Sequence, residues 1–326
     1  MKTEKTLLAL DFGGTKLSAA ITDPGHLAQR QWLERTRVFG AAGKDAQTDL
    51  QEMIGASHLL LGEAAPAAIG VSFGGPVEPQ AGVVRLSHHV PGWENLLLKR
   101  LLEDEFSCPV LVDNDANVAA LGEYRFGAGW GALSLLYITV STGVGGGWIL
   151  NGKIWHGAQG MAGEIGHTAI DPQGPVCLCG KRGCVERLSS GPYMAQDARQ
   201  ALFDDPAQGP ELMRLCGGVL DEISGEMLSR AAYAGDSLAA NLLRRSAWAI
   251  GVAIGNAANL LNPHRVILGG GVTKSGLDWW QGVESAARQT MLPDIDVEIL
   301  PAELGGDAPL WGAVALALET LNLGRG

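Results

Sequence analysis

The sequence predicts an α/β protein of two lobes, and three observations carry that reading. Short apolar runs of strand length alternate with longer segments of helical period across the chain. A strand, a turn rich in glycine and threonine, and a second strand occur near the start and again more than a hundred residues later. At 326 residues the chain is long enough for two domains, each with its own core. Two turns of one kind suggest two related domains that face one ligand. The pair is more specific than either turn alone.

Residues 6–11 form the first apolar run and lead into D-F-G-G-T-K, and residues 17–22 form the second, so a β-hairpin is expected here. Gly13 and Gly14 let backbone N–H groups approach an anion, Thr15 adds a hydroxyl and Lys16 a cation, and Asp11 is suited to hold Mg²⁺ through water. An ordinary Gly-Gly hairpin turn has the same pattern. Residues 27–38 read as a third strand and 45–61 as a helix before the Pro66 break. A buried strand, 67–73, then runs into Gly74-Gly75-Pro76, the kind of strand end at which ligands bind in open sheets. Residues 93–106 have the period of an amphipathic helix. The buried strand 109–112 runs into Asp113-Asn114-Asp115-Ala116-Asn117, and a helix follows over 118–124. One of these polar residues suffices to cap the helix, so a ligand role falls to the Asn114-Asp115 pair.

Residues 127–131 read as a linker and mark the domain boundary. The first lobe is expected over 1–127, closed by a C-terminal helix within 309–326, and the second over 128–308. In the second, strand 133–140 enters S-T-G-V-G-G-G, with Thr142 and Gly143 in the places of the first turn, and 148–150 returns. Helices are expected over 190–202, 228–233 and 238–261, and a short strand over 265–268 ends at Gly269-Gly270-Gly271.

Residues 163–186, GEIGHTAIDPQGPVCLCGKRGCVE, concentrate the chemistry. Cys177, Cys179 and Cys184 stand at C-x-C-x4-C spacing with glycines between them, and His167 lies ten residues upstream. Three thiolates and one imidazole suit a closed tetrahedral Zn²⁺ site with no position left for an activated water, so the metal is read as structural. Loop cysteines and a surface histidine are the alternative, but three of the chain's five cysteines fall within this stretch. Glu164 and Glu186 bracket the ligands without being needed by them. A metal that pins the loop also pins these two carboxylates.

Composition narrows the partners. With 46% hydrophobic and 18% charged residues the chain is a well-buried globular protein, and a net charge of -11 opposes nonspecific binding to nucleic acid or anionic membranes. No apolar run approaches the roughly 18 residues of a membrane span, and the start of the chain lacks the pattern of a signal peptide. A cytoplasmic protein is expected, with Cys108 and Cys216 as buried thiols.

D-F-G-G-T-K, N-D-A-N, V-S-T-G-V-G-G-G, G-E-I-G-H with C-L-C-G-K-R-G-C-V-E, and I-L-G-G-G occur in this order over most of the chain, which thereby resembles the ROK family of sugar kinases and repressors. The resemblance implies an actin-like (ribonuclease H-like) fold of two α/β lobes, with ATP and a hexose in the cleft and Mg²⁺-dependent phosphorylation of the sugar. It implies that Asp11, Gly13, Gly14, Thr15 and Lys16 hold one side of the triphosphate, Thr142 and Gly143 the other, and that Gly269 and Gly270 approach the adenosine. Asp115 resembles the family's catalytic base. Gly74, Asn114, Glu164, His167 and Glu186 match positions that contact sugar hydroxyls, His167 doing so while also binding zinc.

One departure is the stretch 86–91, L-S-H-H-V-P, where many sugar kinases of the family have an Asn near P-G-W that helps line the pocket; His89 is suited either to hydrogen-bond sugar as that Asn does or to stand on the surface. Glu164 is the form associated with glucose-type substrates, whereas the 140–147 and 171–177 stretches look close to N-acetylmannosamine kinases. Glucose is the first expectation. The family's repressors place a helix-turn-helix ahead of the phosphate motif, which here begins by residue 11, so a kinase is expected over a sensor. A zinc hydrolase conflicts with the closed ligand set. A homo-oligomer is expected as well.

Overall fold

The computed structural model describes residues 5–14, 16–39, 44–87 and 90–323, so Thr15 and His89 lie outside the described residues. The chain forms two compact units: residues 1–132, 147–162 and 303–326 make the first, and 133–146 with 163–302 the second.

In the first unit β1 (Leu7–Phe12) and β2 (Lys16–Thr22) form the expected antiparallel hairpin. β3 (Glu34–Phe39) continues the sheet but is shorter than the 27–38 run, because residues 24–30 are turns that end with Arg30 in the left-handed region at φ 52. α1 (Ala46–Leu61) starts where the Asp45 carboxylate accepts the Thr48 N–H at 2.9 Å, an N-cap. β4 (Ala68–Phe73) runs parallel to β1, and the short pair β5 (Val77–Glu78) and β6 (Val83–Val84) follows. α2 (Leu98–Phe106) begins five residues later than the 93–106 expectation, since Trp93 leaves the helix to enter the core, where its ring meets Phe12 at 5.4 Å and Phe73 at 4.8 Å. β7 (Val110–Asn114) pairs in parallel with β4 and passes directly into α3 (Asp115–Phe126). The sheet order is β3-β2-β1-β4-β7. The central strand β1 is buried along its whole length, which is why it reads as an unbroken apolar run and not as an alternation.

The second sheet has the order β10-β9-β8-β11-β12, and its first strands are β8 (Ser134–Val140), β9 (Val144–Leu150) and β10 (Lys153–Ile154). Five helices follow: α4 (Val185–Ser189), α5 (Gly191–Asp204), α6 (Pro210–Leu215), α7 (Gly225–Tyr233) and α8 (Ser237–Leu261). β11 (Arg265–Gly269) pairs in parallel with β8, α9 (Leu277–Thr290) packs along α8, and β12 (Glu298–Pro301) pairs in parallel with β11. The chain ends with α10 (Ala308–Leu323), which lies on β1, β4 and α3 of the first unit.

The boundaries differ from the expected ones, and the return to the first unit comes at Glu303, ahead of residue 309. The break falls after Ala132 and not after Gly127, because Glu123 holds the intervening loop: its carboxylate accepts the Ala128 N–H at 2.9 Å, and those of Leu304 at 2.8 Å and Glu303 at 3.2 Å. Residues 147–162 also group with the first unit. Gly147 makes this possible, since a Cβ there would meet the carbonyl oxygen of Ala116 at 2.6 Å.

Candidate functional site

The first unit gathers its share of the expected residues where β1, β4 and β7 end side by side. Gly74 N–H donates to the Phe12 carbonyl at 2.9 Å, and a Cβ on Gly74 would lie 3.2 Å from that oxygen and 3.8 Å from Asp115 Oδ2. Asp11, at the end of β1, is buried, accepts from Ser72 Oγ at 2.9 Å and has its pKa pushed up to about 6. Burial is the main cause; Ser72 and the cations Lys16 and Arg37 oppose it, and the negative charge of Asp115 adds to it. Two carboxylates that repel each other at a glycine-lined strand end suit a divalent cation with oxygen preference. Ser72 was not singled out in the sequence, and a serine inside an apolar strand is the signal that would have found it.

Asn114 and Asp115 divide their work. Asn114 caps α3, its Oδ1 accepting from Ala116 N at 3.0 Å and Asn117 N at 3.4 Å, and its Nδ2 donates to the Gly75 carbonyl at 3.1 Å. Asp115 is the first helical residue, with Oδ1 accepting the Ala116 N–H at 2.8 Å and Oδ2 on the Gly74 side.

In the second unit Val144 is the junction. Its N–H donates to Glu186 Oε2 at 2.9 Å, and a Cβ on Gly143 would stand 2.8 Å from the same oxygen. The short turn Ile165–His167, which follows Glu164, sits on Val144 so closely that a Cβ on Gly166 would be 2.0 Å from the Val144 carbonyl oxygen. The structure thus joins the glycine turn, Glu186 and the G-E-I-G-H turn. Glu164 itself is exposed.

The donor atoms of His167, Cys177, Cys179 and Cys184 lie within 4.8 Å of one another. Cys179 and Cys184 sulfurs are 3.5 Å apart, and Cys177 Sγ lies 3.9 Å from His167 Nδ1. Ligands about 2.3 Å from a tetrahedral Zn²⁺ stand roughly 3.8 Å from one another, so the group fits that ion. Because Nδ1 faces the sulfurs, His167 keeps Nε2 for another partner. The loop is tied down independently of any metal: Lys181 Nζ donates to the His167 carbonyl at 2.6 Å, and Tyr193 Oη accepts the Leu178 N–H at 3.1 Å.

A cavity of about 1050 Å³ opens on the other side of the glycine turn, lined by Ser141, Thr142, Pro192, Ser224, Arg230 and Lys274 among others. That volume admits a nucleotide. Gly271 lines it, whereas Gly269 and Gly270 are not among its walls: their Cβ positions would meet Tyr137 Oη at 2.4 Å and the Val140 carbonyl oxygen at 2.3 Å. These two glycines let β11 close on β8. The walls from residues 192–234 had no readable pattern in the sequence beyond helical period. Arg199 fixes part of them by donating to the carbonyls of Leu220, Asp221 and Ile223.

This combination of two α/β sheets, paired glycine turns and a Cys₃His loop defines a sugar-kinase-like ATPase fold, and the chain belongs to the ROK family, which it matches over residues 7–320. It is 35% identical to a glucokinase of Halalkalibacterium halodurans, over 98% of this chain and 97% of that one. It is 34% identical to an N-acetylmannosamine kinase of Yersinia pseudotuberculosis, over 96% and 99%. A ROK family glucokinase of Streptomyces griseus, solved with glucose and AMPPNP, superposes with a TM-score of 0.81 at 32% identity, over 96% of this chain and 99% of its own.

Proposed function

We propose that this chain, an ATP-dependent sugar kinase, transfers the terminal phosphoryl group of ATP to glucose to form glucose 6-phosphate, with Asp115 as general base. The observation that carries the assignment of the base is the division of labour at the β7–α3 junction. Asn114 is the N-cap and takes both the Ala116 and Asn117 N–H groups, Asp115 shares only the first of these through Oδ1, and its second carboxylate oxygen faces the glycine at the end of β4. A sugar hydroxyl is a poor nucleophile at neutral pH, and a carboxylate that accepts its proton as the P–O bond forms stabilises the transition state.

Asp11, Gly13, Gly14, Thr15 and Lys16 are assigned to the phosphates from the first unit, and Thr142 and Gly143 from the second. Mg²⁺, when bound, neutralises phosphate charge, and Asp11 is its proposed holder. Gly74, Asn114, Glu164, His167 through Nε2, and Glu186 are assigned to sugar hydroxyls, and the 1050 Å³ cavity to the nucleoside. The Cys₃His group is assigned a structural Zn²⁺ that keeps Glu164 and Glu186 in place. Among the described residues no helix is long and apolar enough to cross a membrane; the cytoplasm and a homo-oligomeric state are the proposed setting.

N-acetylmannosamine is the second reading, supported by the 34% identical kinase for that sugar. Glu164, the form associated with glucose, supports the first. A coupled ATP-consumption assay across glucose, N-acetylglucosamine, N-acetylmannosamine, fructose, mannose and allose decides between them. The highest kcat/KM is expected on glucose. A higher value on N-acetylmannosamine replaces the substrate, and no turnover on any sugar replaces the kinase with a sugar-binding sensor.

A further inference from the structure

His156 was not singled out in the sequence, yet it reaches the junction that presents Asp115. It follows β10, and its Nε2 lies 2.5 Å from Asp113 Oδ2. Asp113 is at the end of β7 with its side chain only 4% exposed, and His156 shields it with a side chain 23% exposed. The other Asp113 oxygen accepts from Asn114 N at 2.7 Å and from Asn117 Nδ2 at 3.1 Å. Asn117 keeps that orientation although it leaves its Oδ1 buried without a hydrogen-bond partner. One buried carboxylate therefore holds the backbone just before Asp115 and the side chain two residues after it, and the imidazole is the donor that holds the carboxylate.

We infer that His156 is a positioning residue for the base: through Asp113 it fixes the β7–α3 turn that presents Asp115, an inference that rests on the base reading of Asp115. A second effect follows from charge. When protonated, the imidazole balances Asp113, which stands two residues from Asp115; without that charge, an unbalanced carboxylate raises the pKa of its neighbour. The hydrogen bond to Asp113 raises the pKa of His156 and favours its charged form, while burial opposes it. The other charged groups around the pair are Glu319 on α10, Arg125 on α3 and Lys153 on β10, and Asp115 itself faces the buried carboxylate of Asp11 on β1, which is unchanged in the His156 variants. Burial holds the Glu319 carboxyl above its usual range despite both cations.

The test uses the full chain with ATP and glucose. His156→Ala is expected to lower kcat by about 10- to 100-fold, the scale of a slightly misplaced reacting group, while KM for glucose moves by less than about threefold. The acid limb of kcat should shift to higher pH. His156→Gln supplies an amide donor near the position of Nε2 without charge, so it should recover most of kcat and retain the acid-limb shift. If His156→Ala fails to fold, His156→Gln carries the test alone. Asp115→Asn and the double variant are measured beside them, and the double variant should be no slower than Asp115→Asn. Wild-type kcat and pH profile in His156→Ala would overturn the inference, as would a His156→Gln protein with an unshifted acid limb. An active Asp115→Asn would instead remove the base reading beneath it, which separates the two failures.

Discussion

Asp115 and Asn114 are neighbours of nearly the same size and both types cap helices well, but only Asn114 carries an amide donor and acts as the N-cap of α3, and Asp115 is the proposed base. Asp115→Asn keeps the size and an acceptor while removing the base, so kcat is expected to fall by about 10²- to 10⁴-fold with sugar affinity much less affected. Asn114→Ala should behave differently. It removes a cap and a tie to Gly75, and is expected to lower stability by about 1 kcal/mol in chemical denaturation. A folded Asp115→Asn protein that retains most of its kcat, measured by the coupled assay, would rule out the base. The N-D-A-N run was legible as a place where polarity needed an explanation. Which residue did the capping was not, because both types are good caps and only the backbone path into α3 separates them. Gly143 has a similar ambiguity: a side chain there would strike Glu186 at once, so any substitution disturbs both the proposed sugar contact and the proposed phosphate turn.

Helix α10 shows how an element depends on residues far away in sequence. It is apolar nearly all round, and such a helix must be covered. It fits because three glycines remove the obstacles: a Cβ on Gly70 would be 1.8 Å from the Ala313 carbonyl oxygen, one on Gly122 would be 2.5 Å from that of Ala308, and one on Gly312 would be 1.8 Å from that of Val118. The blocking atoms are backbone and have little room to yield. Gly312→Ala is therefore expected to cost about 3 kcal/mol or more in urea unfolding, at or above the usual range for overpacking. Gly55 in the middle of α1 has open space where a Cβ would go, and Gly55→Ala should stabilise by about 0.5–1 kcal/mol through helix propensity. Equal effects of the two substitutions would refute this account of the seam. In the sequence these glycines look alike; α9, too, went unread there, its period interrupted by Gly282 and by paired tryptophans.

At the scale of the whole molecule the chain has two compact units, and the Cys₃His group belongs entirely to the second. One zinc per chain is expected in protein purified without chelator. Its removal should weaken sugar binding before nucleotide binding, since Glu186 lies two residues beyond Cys184, whereas the large cavity is lined by other segments. Calorimetry should show the second unit's transition lowered by at least about 5 °C, as expected when a few kcal/mol of ligand stabilisation are lost from a unit of this size. Metal analysis without zinc would end this reading, and so would a Cys177→Ser variant with unchanged sugar affinity.

Residue type and local spacing alone determined the strands β1, β4, β7, β8 and β11, the long helix α8, the two glycine turns, the Cys₃His set and the family. Each is encoded over a few consecutive residues, by hydrophobic period, by turn glycines or by ligand spacing. Tertiary structure decided what depends on non-local contact. It placed Trp93 in the core instead of in α2, set Ser72 against Asp11, joined Glu186 to Val144, turned His156 onto Asp113, and drew residues 147–162 into the first unit. Those pairs are separated by tens of residues, and a side chain that is polar in a local window acquires its role only when the fold supplies the atom it faces.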